Sequence, residues 1–107
     1  MRVIAKANID GPEARGQAEI IELDSDQLEL RLSNFWVAPG APDVHIVLSQ
    51  NPQGKIDDTA IDIAPYTYGN TEQTYPVPKG ITLQHLKTII VYCKKYTVHF
   101  GYGNIEF

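Results

Sequence analysis

Turn-forming residues interrupt this 107-residue chain so often that it has little room for a long regular element. Gly, Pro, Asn and Asp separate short runs in which apolar and polar side chains alternate. The clearest run covers residues 27–33, where Leu28, Leu30 and Leu32 recur at every second position. That period is typical of a half-buried strand whose leucines face a core. No ten residues keep the 3.6-residue period of a helix, so the pattern predicts an all-β fold.

Other strand-like runs are short, and turn residues frame each of them. They cover residues 2–8, 18–23, 44–49 and 88–93, with a weaker run over 59–63 and one helical turn over 83–87 that Thr82 could cap. Half-polar alternation is unlike the continuous apolar strands of a parallel sheet. We therefore predict an antiparallel β-sandwich or flattened barrel of about seven or eight short strands with long ordered loops. Residues 1–107 are predicted to form a single domain.

The side-chain alternation changes parity near the end of the chain. Ile89, Val91 and Cys93 share one face of a strand, whereas Val98 and Phe100 carry even numbers. Lys94-Lys95 is poor chemistry for a two-residue hairpin. The parity change therefore favours a bulge, or a crossing between sheets, near these two lysines.

Composition excludes several classes of partner. Nine Lys and Arg residues face thirteen Asp and Glu, which is the wrong balance for a protein that neutralises phosphates, so no nucleic acid partner is expected. No apolar run approaches the roughly 20 residues of a transmembrane segment. The N-terminal residues contain no signal-peptide core. A cytoplasmic location and export with the signal removed both stay open.

Catalytic templates are missing from the sequence, which favours a noncatalytic module. It contains no Gly-x-Ser-x-Gly, phosphate-binding glycine loop or His-Glu-x-x-His. His45, His85 and His99 could in principle join Cys93 around copper, but a blue-copper centre usually has an axial Met late in the chain, and Met1 is the sole methionine. We expect no metal site and no intrinsic cofactor, with His45 and His99 facing outward.

The sole cysteine, Cys93, has two interpretations. Because the sequence has one cysteine, an internal disulfide and Cys-x-x-Cys chemistry are excluded. Cys93 can be a small buried hydrophobe on the face of Ile89 and Val91. Alternatively, Lys94, Lys95 and His99 can tune it, because neighbouring cations favour the reactive thiolate. Cys93 is therefore the redox candidate of this chain.

Aromatic residues near predicted loops suggest a second kind of site. Flat rings can stack on a sugar, with Asn70, Glu72 and Gln73 supplying hydrogen bonds, although rings also fill small cores. The ligand-binding candidates are Trp36, Tyr66, Tyr68 and Tyr75.

Several motifs together resemble a known family. In the second half they are Gly69-x-x-x-Gln73-x-Tyr75-x-Val-Pro78 and Ile89-x-Val-Tyr-Cys93-x-x-Tyr96-x-Val-x-Phe100-Gly101. In the first half they are Gly16-x-Ala-Glu-Ile, Leu28-x-Leu-x-Leu-x-x-Phe35 and Pro42-Asp43-Val44-x-Ile-x-Leu48. Over about residues 16–105 the chain resembles the DM-thirteen domain, also called the electron-transfer DM domain.

That resemblance implies an all-β, extracytoplasmic or secreted module, found alone or beside haem-binding and cytochrome-like domains. It also implies a proposed redox role for the cysteine that corresponds to Cys93. The leading hypothesis is thus a redox or electron-transfer module with a redox partner, any haem lying on a partner domain. The alternative is a module that binds carbohydrate or a cell-surface partner, with Cys93 purely structural.

Overall fold

Two four-stranded antiparallel sheets make up the computed structural model, which describes residues 2–24, 27–40, 43–67 and 71–107. The first sheet has the order β1-β2-β3-β6 and the second has the order β5-β4-β7-β8. In chain order the strands are β1 (Arg2–Ile9), β2 (Ala14–Glu22), β3 (Leu28–Val37), β4 (Val44–Ser49), β5 (Ile61–Pro65), β6 (Gln73–Pro76), β7 (Thr88–Cys93) and β8 (Val98–Asn104). The predicted all-β class is confirmed.

The main core lies between the two sheets, where alternation turns apolar side chains inward. Leu30 and Leu32 of β3 are buried there, and Leu28 packs at the margin, so the predicted leucine face is confirmed. β7 is buried at all six positions, hence on both faces. Its odd-numbered residues join the main core, whereas Ile90 and Tyr92 join an outer cluster with Val47. The segment between β4 and β5 covers that outer cluster with Ile56 and Ala60.

One side of the sandwich is joined by its edge strands. Asp10, directly after β1, and Tyr102 of β8 exchange two backbone hydrogen bonds of 3.1 Å, and Lys6 and Glu106 exchange two of 2.8 Å. Gly103 permits this approach, because a Cβ there would lie 2.3 Å from the carbonyl oxygen of Asn8. This contact between β1 and β8 is called the seam below.

The opposite edges, β5 and β6, form no ladder with each other among the described residues. Both strands are short and end at a proline, which has no N–H to offer a further strand. Of the two predicted architectures, the structure therefore shows the sandwich.

The end of the chain differs from the predicted crossover. β7 and β8 form a hairpin within one sheet, joined by a loop over residues 94–97 in which Thr97 has a φ of 53°. Because the loop has four residues, Lys94 and Lys95 do not have to form a two-residue turn, for which they are poorly suited. The bulge exists but lies further on: Val91 pairs with Gly101 and Tyr92 with His99, so Phe100 is the extra residue.

Several predicted strand boundaries agree with the structure, and others differ from it. β4 and β7 match their predicted ranges, and the helical turn is a 3-10 turn over Leu83–His85, in which the backbone N–H of Thr82 donates to His85 Nδ1 at 3.0 Å. β5 begins two residues later than predicted, after an Asp57–Thr59 turn. The described part of the chain contains no helix long and apolar enough to cross a membrane.

Candidate functional site

Cys93 is the last residue of β7 and faces the core. It belongs to the main core cluster with Ile89 and Val91, as predicted from the strand period, and is 1% exposed. A thiol in this position packs as a small apolar side chain. Its redox role stays a prediction.

The thiol nevertheless lies at the margin of the core. Cys93 pairs with Val44 of β4 and with Val98 of β8. Paired residues of antiparallel strands share a face. Val98 thus lies beside Cys93, and it is 46% exposed. Solvent therefore reaches the side chain immediately next to the buried sulfur.

The residues predicted to tune Cys93 are Lys94, Lys95 and His99, and each of them contacts another side chain. Lys94 Nζ lies 3.4 Å from a carboxylate oxygen of Asp62, and Lys95 Nζ lies 5.5 Å from the ring centroid of Tyr96. His99 pairs with Tyr92, their ring centroids 6.2 Å apart. Because Tyr92 faces the outer cluster, His99 lies on the opposite face of the sheet from Cys93.

An acidic and basic cluster, which the sequence did not predict, surrounds the end of β4 next to Cys93. His45 Nε2 lies 2.8 Å from Asp43 Oδ1, and its Nδ1 lies 2.8 Å from Asp62 Oδ2. Lys94 adds the ion pair with Asp62, and its backbone N–H donates to the carbonyl oxygen of Asp43 at 2.9 Å. We call Asp43, His45, Asp62 and Lys94 the His45 cluster.

The prediction that His45 faces outward is confirmed, because His45 shares the outer face of β4 with Val47. Its partner Asp62 lies on β5 and pairs with Val47 of the outer cluster, on the same face as His45. A register shift between Ile46 and Val47 sets this diagonal position. The sequence offered one signal for this cluster, a histidine predicted to face outward. No local pattern shows which carboxylates lie within hydrogen-bond distance of it.

Burial and hydrogen bonding oppose each other at His45. Burial lowers its pKa, but hydrogen bonds to Asp62 and Asp43, with the charges of these carboxylates, outweigh burial and raise the pKa above its ordinary value of 6.5. Only the imidazolium donates from both nitrogens. Each nitrogen lies at hydrogen-bond distance from a carboxylate oxygen. Within the described ranges, no three His, Cys, Asp or Glu side chains form a metal-binding group.

The predicted aromatic residues do not share one surface. Tyr66 packs edge-to-face on buried Phe35 at 5.4 Å, and Tyr75 packs on the same core. Tyr75 Oη donates to Gln73 Oε1, and burial, followed by the proximity of Tyr66, raises the pKa of Tyr75. Both rings are therefore partly buried against the main core.

Trp36 follows Phe35 on β3 and takes the other face of its sheet. It is 41% exposed, with the Arg15 guanidinium 5.0 Å from its ring centroid. Tyr68 and Asn70 lie outside the described residues. Among the described residues no stacking platform joins Trp36 to Tyr66 and Tyr75, and the carbohydrate-binding alternative stays a prediction.

Comparison with known proteins identifies the family. Residues 9–105 match the family described as Electron transfer DM13, in agreement with the resemblance drawn from the sequence motifs. No curated protein and no solved structure matches the chain. Since the match covers nearly all of the 107 residues, the chain belongs to the electron transfer DM13 family.

Proposed function

We propose that this domain takes part in electron transfer through the thiol of Cys93, which exchanges with a disulfide on a partner protein. The family points to electron transfer, and Cys93 is the sole cysteine. The observation that carries the proposal is the position of Cys93 beside half-exposed Val98 at the end of β7. A small movement of this sheet end would bring the sulfur to the surface without opening the core.

The exchange consists of two balanced steps. The Cys93 thiolate attacks one sulfur of the partner disulfide; a bond forms between Sγ and that sulfur, and the other partner sulfur leaves as a thiolate. A second thiolate then attacks the mixed disulfide and releases Cys93 as a thiolate. The incoming thiol is oxidised and the departing partner sulfur is reduced. A lone thiol needs such an external partner because it cannot form an internal disulfide.

The location of this chemistry is part of the proposal. Disulfides persist in oxidising compartments outside the cytoplasm, which agrees with the extracytoplasmic location that the family resemblance implies. The partner would carry the disulfide, and any haem would belong to the partner, as the resemblance to modules beside haem-binding and cytochrome-like domains implies.

Oxidised glutathione provides a direct test. We expect the folded protein to form a mixed disulfide at Cys93, detected by intact mass, and to lose it on adding dithiothreitol. Val98→Ala should raise the rate, because it shortens the side chain beside the sulfur. Val3→Ala is the matched control: Val3 is 45% exposed, on β1 in the other sheet, and its truncation should leave the rate unchanged.

The result that would overturn the proposal is reaction only through global unfolding. In that case the mixed disulfide would form no faster than the protein unfolds, in the wild type and in Val98→Ala alike. Cys93 would then be a structural core residue.

A further inference from the structure

The His45 cluster joins three neighbouring strands at the end of the second sheet where Cys93 lies. Asp43 directly precedes β4, Asp62 lies on the edge strand β5, and Lys94 directly follows β7. Val44, which lies between Asp43 and His45, is the cross-strand partner of Cys93. Whatever loosens the cluster therefore loosens the backbone on one side of the thiol.

Protonated His45 is the centre of this arrangement. Its side chain is 13% exposed, whereas the side chains of Asp43 and Asp62 are 47% and 35% exposed. With the imidazolium and the Lys94 ammonium present, two positive charges face two carboxylates. Loss of the imidazole proton leaves one cation for two carboxylates, and one ring nitrogen then directs a lone pair at a carboxylate oxygen.

Asp43 takes part in the cluster with a strained backbone conformation. Its φ of 58° lies in the left-handed region, which L-residues adopt at a cost although Asp tolerates it better than most. Two contacts hold it there: its carboxylate with His45, and its carbonyl oxygen with the N–H of Lys94. A neutral imidazole keeps one N–H for two carboxylates and carries no positive charge, which weakens the contact between His45 and Asp43.

We propose that protonation of His45 controls access to the thiol of Cys93. The imidazolium holds β4, β5 and the turn after β7 together on the outer face of the sheet, opposite the core face that carries the thiol, and its deprotonation lets this sheet end open. Among the described residues, two further titratable side chains lie on this face: Tyr92 of β7, which pairs with His45, and His99 of β8, which lies against Tyr92. Neither side chain forms one of the ion pairs of the His45 cluster.

Hydrogen bonds to the two carboxylates support a transition above pH 6.5, since they outweigh the effect of burial on the pKa of His45. By linkage, deprotonation favours the open state if the pKa of His45 is higher in the closed state than in the open state. The inference rests on the proposed function only in taking Cys93 as the reactive thiol. The opening of the sheet end can be measured separately from thiol exchange.

Alkylation by iodoacetamide, a neutral reagent, tests access. At each pH we compare wild type with His45→Gln, so that thiol ionisation common to both cancels in the ratio of rates. Below pH 6.5 we expect wild type to react more slowly than His45→Gln. As His45 deprotonates, followed through its ring NMR signals, the two rates should converge. His99 lies on the same face of the sheet and serves as the control. His99→Gln should show the same alkylation rate as wild type at each pH.

Amide hydrogen exchange in the wild type keeps the test independent of variant folding. The N–H of Lys94 donates to Asp43, so its protection, corrected for the intrinsic effect of pH, should fall as His45 titrates. A constant rate ratio, or Lys94 protection that does not change across the titration, would overturn the inference. Protection that falls while no mixed disulfide forms would sink the proposed function and leave the control of access standing.

Discussion

Gly103 of β8 lies against the backbone of Asn8 in β1, where a Cβ would approach the Asn8 carbonyl oxygen to 2.3 Å. The contacting atom is backbone, which cannot rotate away as a flexible side chain would. The seam between the two sheets therefore depends on the missing side chain at this position.

Gly103→Ala should lower the free energy of unfolding by about 3 kcal/mol, because the seam must shift to admit the methyl group. Gly80→Ala is the comparison: a Cβ at Gly80 would meet no heavy atom within 4 Å, and the φ of 92° is the remaining source of cost, about 1 kcal/mol. Urea unfolding of both variants measures the difference. Equal losses would show that the seam is looser than the structure indicates.

His45 should make stability depend on pH. Its pKa in the folded state is raised above 6.5, so the folded protein binds this proton more tightly than the unfolded chain. The stabilisation is complete below pH 6.5 and is lost as pH rises through the folded pKa. Urea midpoints of wild type should fall across that range relative to His45→Gln. Parallel curves for the two proteins would contradict the ion pairing of His45.

Cys93→Ser should lower the free energy of unfolding by about 1–3 kcal/mol, since a hydroxyl replaces a thiol in an apolar core. Cys93→Val keeps an apolar side chain of similar size and should cost less, under about 1.5 kcal/mol. Thermal unfolding of both variants provides the measurement. A melting temperature unchanged by Cys93→Ser would argue against a packed thiol.

Phe35 and Trp36 are neighbours on β3 with opposite surroundings. Phe35 is 1% exposed, so Phe35→Ala should cost about 3–5 kcal/mol through the cavity it leaves. Trp36→Ala removes an exposed ring and its Arg15 contact, which is worth about 0.5–1 kcal/mol. Far-UV circular dichroism during urea unfolding follows both variants. Similar losses would mean that the two rings are not on opposite faces.

Strand period alone determined which side chains face the core. It predicted the inward faces of β3 and β7, and with them the burial side of Cys93, because neighbouring residues of a strand point to opposite faces whatever lies across from them. Turn residues framed β4 correctly for a similarly local reason. The family motifs were also visible in the linear sequence and were confirmed by the family match.

Only the tertiary structure decided which residues meet across the strands. The hairpin after β7, the bulge at Phe100 and the register shift in β5 determine that His99 lies behind Cys93 and that Asp62 reaches His45. The approach of Gly103 to Asn8 likewise joins strands from opposite ends of the chain. A period of two assigns a face to each side chain, but cross-strand partners depend on register, which non-local pairing and bulges set.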